Sequence, residues 1–472
     1  MSTSPQAGIL APSLRLPPLL LCFSLGALLW FLPAPVGVSL EGWHLLALFL
    51  ATIAGIILKP LPMGAVAFTG LTLTLLTGTL PLKESLASFG NPVVWLVFSA
   101  FIIARGFFTS GLATRMAYSL ISLLGKRTLG LGMGLILADL SLAPAIPSDT
   151  ARSGGIVMPI LRGLVEGSKA PPKMAAFLTL CAFQGSVITS SLFLTAMASN
   201  LFIAELARGL GYTLSWTTWT LAALVPAIVS LLAIPALLYR LVPPGTGAAS
   251  DARNVAKEKL KELGPLSRKE GITLSILLLL LTLWIGGATF GVAPAVAAMT
   301  GITLLLITGV LNWDEITGEK RAWETLIWYA TLIMMATHLQ TLGVTDWIGG
   351  MITRQLGGVS WQVAFPCLAL LYFFAHYLFA GNTSHISAFF VPFATIAIGL
   401  GTPPMLALLT LAYFSCLFAG ITHYGTAAAP LLFGTGYVDI KTWWRVGLLC
   451  GLVNILVWGG LGSLWWHWLG LW

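Results

Sequence analysis

Long apolar runs, separated by glycine, proline and charged residues, follow one another along the chain. They fall near 18–33, 42–59, 63–80, 91–110, 174–208, 216–241, 271–288, 292–311, 322–340, 402–436 and 443–469. Two further regions, 128–165 and 361–397, are apolar but are interrupted in the middle by short polar motifs. Because a spanning helix needs about 20 apolar residues, the pattern predicts an all-α polytopic membrane protein with about 11 transmembrane helices and two re-entrant helical hairpins.

Composition supports a membrane protein and removes other classes. The 472 residues are 57% hydrophobic and 8% charged, whereas a soluble domain carries about 25% charged residues. Water-soluble folds are therefore excluded. The net charge of +8 is the usual result of basic cytoplasmic loops, so nucleic acid is not expected as a partner. The five cysteines lie in apolar stretches without a CxxC pair, and we interpret them as small core residues.

One clearly aqueous segment, 243–270, divides the chain into two similar halves. Its stretch Asp251–Leu263 has the composition of a short, charged surface helix. The predicted organisation is an N-terminal helix, a first inverted repeat, a cytoplasmic linker and a second inverted repeat. Their boundaries are 1–39, 40–241, 242–270 and 271–472, with the hairpins at 128–165 and 361–397.

The distribution of basic residues predicts the orientation. With a cytoplasmic N-terminus and two hairpins that do not cross, most of the 24 Lys and Arg residues face the cytoplasm, including those of the 242–270 linker. Only Lys83, Arg208 and Arg354 fall outside, while Arg105 and Arg152 lie at membrane depth. This asymmetry is the one that cytoplasmic loops show. It predicts a multi-pass protein of the cell (inner) membrane.

The two halves share a plan. Each contains a spanning helix, a broken hairpin centred on residues 148–150 or 381–383, and a long apolar segment interrupted at 195–200 or 422–430. Five spans and one re-entrant hairpin give each repeat an odd number of crossings, so the second copy is inverted. Inverted repeats with paired broken helices are typical of secondary transporters whose site lies near the midplane.

The two hairpin motifs, PSDTARSGG (147–155) and AGNTSHIS (380–387), combine a helix-stopping Pro or Gly with residues that can cap the next helix. Non-helical backbone at membrane depth is tolerated where it is buried or lines a wet cavity. Two inward helix N-termini would offer free N–H groups and positive dipole ends to carboxylate oxygens. Side-chain donors would come from Ser148, Thr150, Asn382, Thr383 and Ser384. The alternative is that both motifs are plain N-caps in kinked helices.

The tracts PSDTARSGG, FAGNTSH and THYGTAAAPLLFGTGYV resemble the divalent anion/sodium symporter family. They are most similar to its bacterial citrate/succinate-type and plastid 2-oxoglutarate/malate-type exchanger branch. The resemblance extends from about residue 40 to the C-terminus. It implies a homodimer in which a transport domain moves against a scaffold as an elevator.

The family's hairpin signatures bind substrate carboxylates and the flanking cations. The resemblance assigns substrate binding to Ser148, Asp149, Thr150, Asn382, Thr383 and Thr426. It assigns the cation site, or the residues that replace the cation, to Asn200, Arg152 and His385. Two positions depart from the family pattern, because Asp149 replaces an amide and Gly381 removes a hydroxyl.

The two charged residues of the first motif leave alternatives open. An ionised Asp149 would repel a dianion, so it is protonated, holds a cation, or pairs with Arg152 one helical turn on. A plain N-cap is the structural alternative for Asp149. A fixed positive charge at Arg152, with His385 in the other half, would replace sodium and favour exchange of one anion for another. Otherwise Arg152 only neutralises Asp149.

The residues and the resemblance together predict a secondary active transporter of dicarboxylates such as malate, succinate or 2-oxoglutarate, with citrate as a further candidate. We expect anion exchange by alternating access, no enzymatic activity, and no cofactor or metal, although Na+ is the coupling ion in the alternative of sodium symport. A remote alternative is a membrane-embedded hydrolase that pairs Ser148 with His385 or His423. The sequence assigns no role to Asp139.

Overall fold

The computed structural model describes residues 15–245, 249–355 and 359–472, and within these ranges the chain forms helices and no strand. Before the central linker the helices are α1 (Leu16–Phe31), α2 (Leu40–Leu58), α3 (Met63–Leu76), α4 (Leu82–Ala87), α5 (Pro92–Ser110), α6 (Leu112–Leu124), α7 (Thr128–Leu142), α8 (Met158–Gly167), α9 (Pro172–Leu192), α10 (Ala198–Gly209) and α11 (Trp216–Leu241). The linker contains α12 (Ala249–Glu262).

The described chain after the linker is also a succession of long and short helices. Its helices are α13 (Arg268–Ile285), α14 (Gly287–Phe290), α15 (Pro294–Ile307), α16 (Trp313–Thr317), α17 (Lys320–Thr341), α18 (Val344–Gln355), α19 (Trp361–Ala375), α20 (Asn382–Gly399), α21 (Pro404–Leu417), α22 (Ala428–Phe433), α23 (Ile440–Asn454) and α24 (Ser463–Trp468). Two π-helical segments, Thr150–Val157 and Ile455–Gly462, continue directly into α8 and α24.

Each apolar run predicted from the sequence coincides with a helix, which confirms the all-helical membrane fold. In the described part of the chain, seven helical stretches are long and apolar enough to cross a bilayer. Six of them lie in predicted spans, and the seventh, Trp361–Leu378, is the first arm of the second predicted hairpin. The remaining predicted runs form helices that are shorter or more polar.

The charged helix predicted in the linker is α12, and it is anchored to the helices around it. Its buried Ala252 and Ala256 face α6 and α8. Arg253 donates to the carbonyl oxygen of Ser122 at 2.7 Å. Beyond α12, Arg115 of α6 forms an ion pair with Glu270 at 2.6 Å. These contacts make the linker a packed surface element.

The chain divides into two compact units. The first contains the described chain up to Phe89 together with Ile327–Trp347, and the second contains Gly90–Leu326 and Ile348–Trp472. Both hairpin motifs and both interrupted segments belong to the second unit. The two inverted repeats remain a prediction about the order of elements, because the compact units follow other boundaries.

Reciprocal contacts within the second unit connect the two halves. The helix that follows the break of the first half, α10, packs against α20, which carries the second hairpin motif. In return, α22 packs against the π segment Thr150–Val157, which carries the first motif. Each interrupted segment therefore lies beside the hairpin of the other half, as a two-fold related pair of repeats would arrange them.

Candidate functional site

The first helix tip begins where α7 ends. Pro144 and Pro147 lie in the non-helical stretch after Leu142. Proline lacks the N–H that a helix interior needs, so these two residues end the helix here. The π segment then begins at Thr150, and Asp149 accepts a hydrogen bond from its backbone N–H at 2.7 Å. Ser148 Oγ accepts from the N–H of Ala151 at 3.1 Å. The tip is thus a capped helix start.

Asp149 joins this tip to the break in the other half. One carboxylate oxygen also accepts from the hydroxyl of Thr150 at 3.2 Å, and the other accepts from the hydroxyl of Thr426. The structure therefore brings Asp149, Thr150 and Thr426 together. The pairing of Asp149 with Arg152, one of the expected alternatives, is not formed, because the carboxylate is held as the cap of its own helix.

Arg152 pairs instead with Asp139, to which the sequence assigned no role. Both side chains are completely buried, with the guanidinium 3.2 Å from the carboxylate. Nη1 donates to the backbone carbonyl oxygens of Ile146 and Ala196, both at 2.6 Å, and Nη2 donates to Ser190 Oγ at 2.7 Å. Every nitrogen of the guanidinium is therefore bound to oxygen. The expectation that Arg152 neutralises Asp149 is wrong, because its ion-pair partner is Asp139.

The group around Arg152 has the ligands of a cation site. A carboxylate, two carbonyl oxygens from broken helix ends and a hydroxyl are the oxygen donors that hard cations such as Na+ or Ca2+ take in proteins. In this chain the guanidinium fills that oxygen cage. The guanidinium is therefore enclosed by oxygen atoms of α7, of α9 and of two broken helix ends.

Asn200 holds the break between α9 and α10. Its Nδ2 donates to the carbonyl oxygens of Ser190 and Phe193 at 2.8 and 3.1 Å. Its Oδ1 accepts from the thiol of Cys416 at 3.0 Å. The carboxamide is thus engaged by the protein itself, and it shares Ser190 with Arg152.

The second tip is built differently, because no side chain caps it. Gly381 has φ +145°, a conformation that residues with a Cβ rarely adopt, which explains the missing hydroxyl at this position. The expected hydroxyl or amide cap is therefore not formed by any side chain that the structure describes. Asn382 donates to the carbonyl oxygen of Ser415 at 3.1 Å, while its buried Oδ1 has no partner among the described residues. The Thr383 side chain likewise makes no hydrogen bond within the described chain.

His385 lies one turn into α20 and is paired with a second histidine. The Nδ1 atoms of His385 and His376 are 3.2 Å apart, and His376 Nε2 is 2.8 Å from the carbonyl oxygen of Gly425. One N–H per ring satisfies both contacts, so the arrangement is complete with two neutral rings. His385 Nε2 is buried and has no partner in the described part of the chain.

His423, the other histidine of the hydrolase alternative, packs against aromatic side chains. His423 accepts from the indole N–H of Trp444 at 3.0 Å and lies against Tyr424 and Phe433. Within the described ranges, neither His385 nor His423 forms a hydrogen bond with Ser148. The hydrogen bond between nucleophile and base that the hydrolase alternative needs is therefore not formed among the described residues.

The two tips are connected through the interrupted segments, without a direct hydrogen bond between them in the described structure. Asp149 reaches Thr426 in the second half. Asn382 reaches Ser415, whose neighbour Cys416 donates to Asn200 in the first half.

Sequence reasoning missed Asp139, although its acidic side chain in an otherwise apolar helix was a usable signal.

Comparisons with known proteins agree with this architecture. The family model described as the sodium:sulfate symporter transmembrane region matches residues 14–472. "Putative malate transporter YflS" of Bacillus subtilis (strain 168) is 46% identical over 467 residues, covering 98% of both chains. "Dicarboxylate transporter 1, chloroplastic" of Arabidopsis thaliana is 46% identical over 464 residues, covering 96% of this chain and 83% of its own.

A solved structure shares the fold. The YdaH transporter of Alcanivorax borkumensis, described as having an unusual topology, superposes with a TM-score of 0.52 at 16% sequence identity. The alignment covers 96% of this chain and 97% of that one. At this identity the likeness concerns the arrangement of helices alone.

Proposed function

The chain belongs to the family of the sodium:sulfate symporter transmembrane region, and on that premise we propose that it is a secondary active transporter of dicarboxylates such as malate, succinate or 2-oxoglutarate. The names of its relatives support this substrate class. The transporter works by alternating access and exchanges one anion for another. Citrate remains a further candidate substrate.

The observation that carries this proposal is the uncapped second tip. The first N–H groups of an α-helix have no partner in the helix, and a side chain, water or ligand must satisfy them. At Gly381 no side chain does so, and the Thr383 hydroxyl lies beside them. Helix N-termini with free N–H groups bind carboxylates. At the first tip, Ser148 and Thr150 would complete the contacts to the second carboxylate.

Exchange is favoured over symport because of Arg152. A permanently charged guanidinium fills an oxygen cage that would otherwise suit an ion. The positive charge therefore cannot be released on the other side of the membrane, so no ion gradient is coupled to the substrate at this position. The return step then requires a second anion. In the second half His385 belongs to a pair that is satisfied by two neutral rings, so we propose the role of fixed positive charge for Arg152 alone.

A second candidate is sodium-coupled symport, favoured by two buried oxygens without partners. Asn382 Oδ1 and Thr422 Oγ1 make no hydrogen bond with any described residue. An unpaired buried oxygen is costly, and a cation with water ligands would satisfy it. In this alternative one sodium ion binds in the second half, near His385. In the first half the Arg152 guanidinium takes the place of a second ion.

A counterflow experiment with purified protein in liposomes separates these candidates. We expect labelled malate to accumulate in vesicles loaded with a dicarboxylate, in sodium-free buffer, and not in empty vesicles. Vesicles loaded with lactate provide the matched control, since lactate carries one carboxylate. Uptake into empty vesicles that requires an inward sodium gradient would establish symport. No transport of any member of a dicarboxylate panel would refute the proposed substrate class.

The role of Asp149 can be tested with the amide that the family carries there. Asp149→Asn keeps an acceptor for the N–H of Thr150 and removes a negative charge near the proposed dianion. At an effective dielectric constant near 20, two unit charges about 4 Å apart repel by about 4 kcal/mol, so we expect the KM for malate to fall by at least about tenfold. Asp251→Asn in the exposed linker helix is the control. Loss of transport in Asp149→Asn together with activity in Asp149→Glu would instead assign the carboxylate to a cation.

We extend the proposal to the assembly and its orientation. The chain is a multi-pass membrane protein, and we propose that it forms a homodimer of elevator type in the cell (inner) membrane. Its N-terminus and the 242–270 linker face the cytoplasm. Basic side chains in α12, such as Arg253 and Lys257, support this orientation, since cytoplasmic loops are enriched in Lys and Arg.

A further inference from the structure

A cavity of about 440 Å3 opens beside the first helix tip, within the second compact unit. Its lining comes from α5, from the π segment and from the start of α17, and the residues that matter here are Arg105, Thr150, Gly155, Glu319 and Arg321. Its volume falls in the range of about 300–1,000 Å3 that is common for small-molecule sites. The cavity is therefore large enough to hold a small organic anion together with water.

The lining carries an excess of positive charge. Arg105 and Arg321 are both exposed, and Glu319 is the one acidic residue that joins them. Three of the other arginines of the second unit, Arg115, Arg152 and Arg208, form ion pairs. Neither Arg105 nor Arg321 forms one with any residue that the structure describes. Since a charge within an apolar helix is tolerated when it faces a wet cavity, both guanidinium groups are available to an anion.

Two glycines of the π segment allow neighbouring side chains to pack closely against the backbone of the first tip. Gly155 is exposed in the cavity, and a Cβ at this position would lie 3.3 Å from the ring of Phe108. A Cβ at Gly154 would lie 2.5 Å from the side chain of Leu431. Because Arg105, Arg321 and Thr150 line the same cavity, an anion held by the arginines shares one space with Thr150.

We propose that Arg105 and Arg321 form a second anion site, weaker than the site at the tips, where a dicarboxylate is held before it reaches Thr150. This proposal rests on the proposed function. Two guanidinium groups match the two carboxylates of one dianion, since each can bind a carboxylate with two hydrogen bonds. A cleft of one charge sign also raises the local concentration of the opposite ion. The site favours dianions over monocarboxylates before the tips are reached.

The charge of the cavity can be measured without any assumption about the substrate. Phe108→Cys, in a Cys367→Ser background that removes the exposed native thiol, places a reactive group in the lining. We expect an anionic methanethiosulfonate reagent to react faster than a cationic one. In the Arg105→Gln/Arg321→Gln variant the ratio of the anionic to the cationic reaction rate falls about tenfold. Lys320→Gln removes a neighbouring charge outside the lining and is the control, in which the ratio stays unchanged. An unchanged ratio in the double variant would overturn the anion site.

Transport kinetics test what the site holds. In oriented proteoliposomes, Arg105→Gln/Arg321→Gln should raise the KM for malate about tenfold on the face where α17 begins, leaving kcat and the opposite face unchanged. Its KM should also lose most of its dependence on ionic strength. An unchanged KM in folded protein would overturn the holding role. If the thiol ratio changes but no dicarboxylate is carried by the unsubstituted chain, the anion site stands and the proposed function fails.

Discussion

Replacing Arg152 by alanine is expected to stop malate exchange in sodium-free buffer. The substitution leaves the Asp139 carboxylate buried without its partner, and the carbonyl oxygens of Ile146 and Ala196 lose their donors. Removing one member of a buried ion pair costs about 3–5 kcal/mol of unfolding free energy. We therefore expect a lower melting temperature as well as loss of counterflow, measured on the same detergent-purified protein.

Adding sodium to Arg152→Ala tests whether the truncated site can bind a cation. With the side chain truncated, the cage of Asp139, Ser190 and two carbonyl oxygens has the composition of a sodium site. We expect added NaCl, but not choline chloride, to recover part of both the melting temperature and the transport of Arg152→Ala. Arg162→Ala, an exposed arginine of α8, is the matched control and should behave like the unsubstituted chain in both salts.

Two results would contradict the role given to Arg152. Undiminished exchange by Arg152→Ala in sodium-free buffer would show that the fixed charge is dispensable. If Arg152→Ala has a lower melting temperature but transports equally in sodium and choline, Arg152 serves only as the structural counterion of Asp139. The charge-neutral pair Asp139→Asn with Arg152→Gln should fold better than Arg152→Ala, because it leaves no unpaired buried charge.

The sequence predicted the breaks in the helices because proline and glycine act locally. Pro144 and Pro147 remove backbone donors wherever they stand, and Gly381 permits a backbone conformation that other residues rarely adopt. The hydropathy pattern likewise predicted the helices, since a bilayer-spanning helix is apolar on most of its surface. These features depend on a few neighbouring residues, so they can be inferred before the chain is folded.

The partners of the site residues could not be predicted in the same way. Arg152 has an acidic neighbour three positions away in Asp149, which sequence spacing favours, yet it pairs with Asp139 in the preceding helix. The choice depends on the capping bonds that hold Asp149 and on the carbonyl oxygens that surround the guanidinium, both of which appear only when α7, the π segment and α10 are packed. The π-helical backbone at Thr150–Val157 also has no sequence signature that we recognised.

Replacing Thr383 by valine is expected to reduce uptake about tenfold or more while the protein stays folded. The Thr383 hydroxyl makes no hydrogen bond within the described chain, so its removal leaves no protein group unpaired. If that hydroxyl donates to a substrate carboxylate, its loss costs about 1.5–3 kcal/mol of binding, which is roughly a tenfold to hundredfold loss of transport at low substrate concentration. Thr150→Val at the other tip should have a comparable effect, and it also removes the hydrogen bond from the Thr150 hydroxyl to Asp149.

A threonine in the same helix provides the control that separates binding from folding. Thr395 lies in α20 as well, and its hydroxyl is buried without a partner among the described residues, so Thr395→Val should fold and transport normally. Initial rates of counterflow and melting temperatures of the three variants would be compared at substrate concentrations below KM. Normal transport by both Thr383→Val and Thr150→Val would refute the tips as the carboxylate site. Loss in Thr383→Val alone would place one carboxylate at the uncapped start of α20 and leave the other to Ser148 and the backbone N–H groups of the first tip.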